Sequence, residues 1–351
     1  MKILYVTSNT RVGGAENFLL RLAKGIKEHF DVTCVVTNEE GGLQEAYQQL
    51  FKDNLYSLNG DISRMEALID DADIVHLIMG SYGYSRTLAL NYGGKKPIVQ
   101  NAIQNVTENV GLQVMLDETG RGLSAIISEC EDYLKWLPVP GQVPHIKKQI
   151  MNGIDTTFWT PTDRVPEIGT VCWIGRLTPM KGADVLREII LQMPEVRFNV
   201  VANEPLDIEG VLHKEFLDLQ GSVANLSYSW SLMPDELKEV YRSSSIYLHT
   251  SLTESMPGTL LEAMACGCIP VCGLTPGGMR EILPRNDLWC DIKDVISYIN
   301  TIRYVMDTAR FNEIRSYNAI ACMREGFSIE KTIRAYRDLY ITIARERNIC
   351  G

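Results

Sequence analysis

The sequence predicts an α/β protein built from two parallel-sheet domains. Three observations carry this. Short apolar, β-branched runs alternate with amphipathic helical stretches along the chain. The strand runs are apolar almost throughout, as in a parallel sheet covered on both faces. The 351 residues, 45% of them hydrophobic, suffice for two cores at roughly 100–200 residues per domain.

The elements follow in order. Residues 3–6 open the first domain as a strand. Residues 15–26 form a helix with Phe18, Leu19, Leu22 and Ile26 on one face. Further strands fall at 32–37, 74–79, 98–100, 125–128 and 149–151. Asn152-Gly153-Ile154-Asp155 closes this domain, set at 1–155. Residues 160–169, TPTDRVPEIG, are rich in Pro and polar side chains and read as the linker. The second domain, set at 165–327, repeats the alternation. Its strands are 171–174, 196–202, 246–249 and 269–272; its helices are 183–193, 235–243 and 259–266. The tail 328–347 is a long helical pattern with Ile329, Ile333, Tyr336, Leu339, Tyr340 and Ile343 at apolar positions. The segment 328–351 is expected to pack back on the first domain. Ligands of open parallel sheets bind beyond the carboxyl ends of the strands, so two such domains are expected to face one cleft.

Composition narrows the function. Net charge is −10; residues 1–150 hold 14 Lys+Arg against 18 Asp+Glu, and the rest 20 against 26. Neither half is basic, which disfavours nucleic acid and leaves at most peripheral membrane contact. No apolar run approaches the ~18 residues of a membrane span, and the N-terminus lacks a signal-peptide pattern. The nine cysteines include no Cys-x-x-Cys, and several lie in apolar runs. They read as small buried hydrophobes in a reducing compartment, and a cytoplasmic location is expected. Cys266 and Cys268 lack a second ligand pair, and Asp71-Ala72-Asp73 reads as a solvated turn; no metal site is expected.

Three segments carry chemistry, each at a strand-to-helix junction. Val12-Gly13-Gly14-Ala15-Glu16 follows the first strand and opens the first helix, where backbone N–H groups and the helix dipole suit an anion. It is not the Gly-x-Gly-x-x-Gly dinucleotide fingerprint. Arg176 and Lys181 lie five residues apart after the first strand of the second domain and suit a diphosphate, Arg as a planar fork and Lys as a point charge. In TESMPGTLLEAMACG, Glu254 sits in the loop before a helix, Pro257 in its first turn and Glu262 inside it. Carboxylates accept hydrogen bonds from adjacent hydroxyls, and amides around Met256, Gly258 and Thr259 suit a phosphate. Diol, diphosphate and diol in that order make a nucleotide diphosphate sugar. Alone, each segment also reads as ordinary structure: a flexible turn, two solvated cations, a helix start with a surface glutamate. His76 and His249, in apolar strands, read as structural.

At this point the sequence resembles the GT-B glycosyltransferases, specifically retaining glycosyltransferase family 4. The likeness rests on Gly13-Gly14-Ala15-Glu16, Asn152-Gly153-Ile154-Asp155 with Phe158, Gly175-Arg176-Leu177 through Lys181-Gly182, Glu254-x7-Glu262-Ala-Met-Ala, and Gly277-Gly278-Met279-Arg280-Glu281. It implies two Rossmann-like domains facing a central cleft, an N-terminal acceptor domain and a C-terminal donor domain. It implies Arg176, Lys181 and Glu254 as catalytic residues. Gly13, Gly14, Met256, Gly258, Thr259 and Glu262 are implied in donor binding, with Glu262 on the ribose. The donor is a UDP-, GDP- or ADP-sugar, the acceptor a glycan, lipid or small molecule, and no cofactor is implied. The sequence departs from the family in three places. The segment 97–104 lacks the usual histidine, leaving Asn101 and Gln104 on the acceptor side. Ala202 and Trp230 stand where glycine is usual, and Pro257 removes an amide. The rival readings are a silent GT-B scaffold that binds nucleotide sugar, a nucleotide-sugar epimerase, or a phosphorylase.

Overall fold

The structure is a computed structural model and describes residues 1–58, 61–79, 87–88, 90–102, 122–135, 146–203, 210–275, 277–283, 285–324 and 326–348. The chain divides into two compact units: Met1–Gly153 with Ile329–Gly351, and Ile154–Ser328.

In the first unit β1 (Lys2–Asn9), β2 (Asp31–Glu39), β3 (Leu55–Ser57), β4 (Ile74–Met79), β5 (Ile98–Ala102), β6 (Ala125–Ser128) and β7 (Ile146–Gln149) form one sheet. Its order is β3-β2-β1-β4-β5-β6-β7, and every pair is parallel. The last strand falls three residues earlier than the apolar pattern suggests. As an edge strand it carries Lys147 and Lys148, charges that protect an open edge from pairing with another chain.

Helices cover the sheet with the faces their periodicity demands. The helix Gly14–Ile26 buries Phe18, Leu19, Leu22, Ala23 and Ile26. The last helix, Ile329–Glu346, buries Ile329, Thr332, Tyr336, Leu339, Tyr340, Ile343 and Ala344, a stripe at helical spacing. Both stripes enter the same core as Ile3, Tyr5, Ile74 and Val99. Gly25 permits their approach, because a Cβ there would strike the Ile333 side chain.

A polar chain ties that last helix to the sheet. His76 Nε2 lies 2.8 Å from Asn101 Oδ1, and Nδ1 lies 2.5 Å from the Tyr340 hydroxyl. Tyr5 and Tyr340 hydroxyls are 3.1 Å apart, and Asn101 Nδ2 donates to Tyr336 at 3.0 Å. A self-consistent assignment puts the proton on Nε2, facing the Asn101 carbonyl oxygen, and lets Nδ1 accept from Tyr340. Burial lowers the His76 pKa to about 4, against a smaller opposing contribution from Asn101, so the ring is neutral. His76 is thus a satisfied structural histidine.

In the second unit β8 (Thr170–Arg176), β9 (Arg197–Asn203), β10 (Leu226–Trp230), β11 (Ile246–His249), β12 (Ile269–Gly273) and β13 (Trp289–Cys290) form a parallel sheet of order β10-β9-β8-β11-β12-β13. Residues 160–169, read from the sequence as a linker, lie inside this unit. Arg242 donates from Nε to the Thr160 carbonyl at 2.9 Å and from Nη2 to its hydroxyl at 2.9 Å, and Trp159 is buried. A proline-rich, polar composition describes an extended backbone; it does not reveal that side chains from a distant helix hold it down. No helix among the described residues is long and apolar enough to cross a membrane.

Candidate active site

The central strands of the second sheet, β8 and β11, are neighbours. Because both run the same way, the loops at their carboxyl ends emerge side by side. The loop after β8 turns through a short 3-10 stretch, Pro179–Lys181, into the helix Ala183–Gln192. Gly182 makes that turn at φ +67, in the left-handed region that favours glycine. A Cβ there would also collide with the carbonyl of Thr250. The loop after β11 is stitched to it. Thr250 Oγ1 donates to the Lys181 carbonyl at 2.7 Å and accepts from Trp173 Nε1 at 3.0 Å, while Leu252 N donates to the Met180 carbonyl at 2.9 Å.

The stitching sets Lys181 beside Glu254, and the two form an ion pair through Oε1. Their side chains are 24% and 14% exposed, so the pair is largely shielded. His249, the last residue of β11, places Nε2 3.6 Å from the same oxygen. Burial alone would raise the Glu254 carboxyl; the Lys181 ammonium and His249 outweigh it and hold the group well below the usual carboxylate range. Glu254 is therefore an anion at any physiological pH.

Arg176 ends β8, half-buried, and its guanidinium has no hydrogen-bond or ion-pair partner among the described residues. Lys181 is thus engaged by Glu254, while Arg176 keeps its planar fork open. An ammonium has three N–H donors, so the pairing does not exhaust Lys181.

The helix Gly258–Ala265 starts after Pro257. Its first N–H groups have no intrahelical acceptor by geometry, and Gly258 and Thr259 lie in that first turn. Thr259 Oγ1 accepts from the buried Tyr247 hydroxyl at 2.8 Å, and Met256 is buried. Glu262 is only 8% exposed, and the Tyr241 hydroxyl donates toward its Oε2 at 3.5 Å. A solvated surface glutamate does not fit this placement.

In the first unit, the Gly13-Gly14 turn follows β1 and opens the helix Gly14–Ile26. The carboxylate of Glu16, 5% exposed, folds back against Gly13 so closely that any Cβ there would collide with it; Gly14 faces open space. Gly13 is thus required sterically by the protein itself. Asn101 is 5% exposed and its amide is engaged by His76 and Tyr336. That removes its side chain from an acceptor-facing role. Gln104 lies outside the described residues. Asp71 and Asp73 bond to Lys2, Asp71 Oδ1 to Nζ and Asp73 Oδ2 to the backbone N, each at 2.7 Å, at the amino end of the sheet. Among the described residues no cluster of His, Cys, Asp and Glu is arranged to hold a metal.

Sequence reasoning reads His249 as structural and passes over Thr250. The one available signal is position: both stand between the end of a central strand and the loop that carries Glu254.

Comparison with known proteins agrees with this geometry. Residues 167–321 match the family model described as glycosyl transferases group 1. A stretch of 188 residues is 30% identical to a protein of the phosphatidylinositol N-acetylglucosaminyltransferase of Arabidopsis thaliana, covering 49% of this chain and 41% of that protein. A stretch of 148 residues is 31% identical to the Homo sapiens protein of the same name, covering 41% and 30%. The chain spans less than half the length of these relatives. Among solved structures, Anabaena Alr3699/HepE in complex with UDP-glucose superposes with a TM-score of 0.80 at 17% identity, over 100% of both chains. The pneumococcal O-GlcNAc transferase GtfA in complex with UDP and GlcNAc gives 0.76 at 11%, over 98% and 99%. Likeness at this identity establishes the fold, and the fold is GT-B. The family match and these neighbours bear out the GT-B glycosyltransferase resemblance.

Proposed function

We propose that this GT-B chain is a retaining, metal-independent glycosyltransferase of family 4 that moves a sugar from a nucleotide diphosphate sugar to an acceptor hydroxyl. The observation that carries the proposal is the cluster at the carboxyl ends of β8 and β11: Arg176 with an open fork, Lys181 paired to an anionic Glu254, and Glu262 buried in the helix that follows. Arg176 and the remaining N–H groups of Lys181 serve the diphosphate. Glu254 accepts from a hydroxyl of the donor sugar, and Glu262 from the ribose. The first-turn amides at Gly258 and Thr259, with Met256 beside them, add to the donor site. Gly13 and Gly14 serve the donor phosphate.

The bond between the anomeric carbon and the β-phosphate oxygen breaks, and that carbon bonds to the acceptor oxygen on the same face. The acceptor's proton passes to the departing phosphate, so no separate base is needed. Charge builds on the phosphate as the bond breaks. Preorganised donors aimed at such charge contribute on the order of 3–4 kcal/mol each when removed singly. These two cations take the role that a metal ion has in other transferases. A cytoplasmic site is supported by the cysteines: the seven described side chains are all free and buried. The acceptor is a hydroxyl on a glycan, a lipid or a small molecule.

A thermal-shift panel of UDP, GDP, ADP and their sugars tests the donor reading. One nucleotide family raises the melting point, since a ligand bound only by the folded chain stabilises it. No shift with any of them refutes it. Release of nucleotide diphosphate with a new glycoside of retained configuration tests the reaction.

A further inference from the structure

We propose that His249 is a positioning residue for Glu254, holding Oε1 of the carboxylate so that Oε2 is presented to the donor sugar. This rests on the donor reading above and names a residue that reading leaves out.

Two contacts fall on one oxygen. Lys181 Nζ pairs with Oε1, and His249 Nε2 stands 3.6 Å from it. A single contact would let the carboxylate turn about its last bond; two fix the direction of Oε1 and, with it, that of Oε2. A carboxylate only accepts, so the imidazole nitrogen facing it is the one that carries hydrogen. At 3.6 Å the contact is longer than a hydrogen bond, and such contacts often tighten when substrate arrives.

The ring has little freedom to do anything else. His249 is 3% exposed, pairs with Cys272 in the sheet register, and its carbonyl accepts from the Tyr298 hydroxyl at 3.4 Å. Its Nδ1 is buried with no hydrogen-bond partner. A buried polar atom without a partner costs stability, and an apolar side chain at this strand position would avoid that cost. The position instead directs a nitrogen at the carboxylate. The effect of His249 on Glu254 is already felt in the depressed carboxyl.

The test is calorimetric binding of UDP and UDP-glucose, and of GDP and GDP-mannose, to the full chain. The readout is the sugar increment, the ratio of Kd for the bare diphosphate to Kd for its sugar. His249→Leu keeps the volume and removes the N–H. It is expected to cut the increment about tenfold or more, by analogy with lost orienting partners elsewhere, and to change diphosphate affinity less than about twofold. His249→Gln places an N–H near the same point and is expected to recover most of the loss. Adding His249→Leu to Glu254→Gln is expected to change the increment no further, because the two act as one unit. If His249→Leu fails to fold, His249→Asn, whose amide stops short of Glu254, is expected to show the same loss. An increment kept in His249→Leu or His249→Asn but lost in Glu254→Gln overturns the role of His249 and leaves the donor reading standing. An increment kept in Glu254→Gln overturns the donor reading itself. So does wild-type protein that binds neither pair or gains nothing from either sugar.

Discussion

Replacing Lys181 by Met isolates the electrostatics of the site. The change keeps the length of the side chain and removes its charge, leaving Glu254 as a shielded anion with only His249 beside it. Breaking a fully buried pair costs about 3–5 kcal/mol, and breaking an exposed one about 0–1. With the two side chains 24% and 14% exposed, the loss falls between these, about 2 kcal/mol. For a unit of 150–250 residues that corresponds to roughly 4–8 °C in Tm. Glu254→Gln is expected to lose less, because the ammonium left behind is the more exposed partner and keeps water. Thermal unfolding of the wild type, both single variants and the double variant gives the coupling, expected at about 1–2 kcal/mol. The pH dependence has a definite sign. Glu254 is held below its unfolded value of about 4.3, so the pair contributes fully above that value and is lost as pH falls through the folded one. The gap between wild type and Lys181→Met should hold from about pH 8 to pH 5 and narrow below about pH 4. Losses that add within about 0.5 kcal/mol in the cycle would refute the coupling, and with it the account of why Glu254 is ionised.

Other outcomes follow from single contacts. Gly182→Ala meets both a left-handed backbone (φ +67) and the Thr250 carbonyl, whereas Gly210→Ala meets a similar backbone (φ +66) with nothing within 4 Å. The first should cost about 2 kcal/mol or more and the second about 1, read as Tm, and equal losses would remove the packing argument. Arg176→Ala should slow nucleotide diphosphate release at least ~100-fold with Tm unchanged to about 1 °C, measured by product assay and thermal unfolding. His76, neutral with a pKa of about 4, binds its proton more readily unfolded, so stability should fall as pH drops from about 6.5 toward 4, by up to about 3 kcal/mol. His76→Gln should flatten that slope in pH-resolved denaturation curves. Tyr340→Phe strips the Nδ1 partner from His76 and should lower stability by about 1–3 kcal/mol, again read as Tm.

Much of this protein is written locally in its sequence. The alternation of apolar strand runs with 3.6-residue stripes specifies two parallel sheets, because burial on both faces leaves no other economical pattern. The stripe of Tyr336, Leu339, Tyr340 and Ile343 marks the last helix as a core element. The positions of Arg176, Lys181, Glu254 and Glu262 are legible because each stands at a strand end or in the helix that follows. What the sequence does not contain is which side chains meet. Lys181 and Glu254 are 73 residues apart, and only the adjacency of β8 and β11 and the Thr250 bridge bring them together. Asn101 reads as a free polar group until Tyr336, 235 residues away, closes over it. His249 reads as a core histidine until the loop beyond it folds Glu254 back toward its ring. Local periodicity is set by the backbone of a few consecutive residues, so a linear chain records it. Pairing, burial and the charge state of a carboxylate depend on neighbours that arrive from distant strands, and only the packed structure decides them.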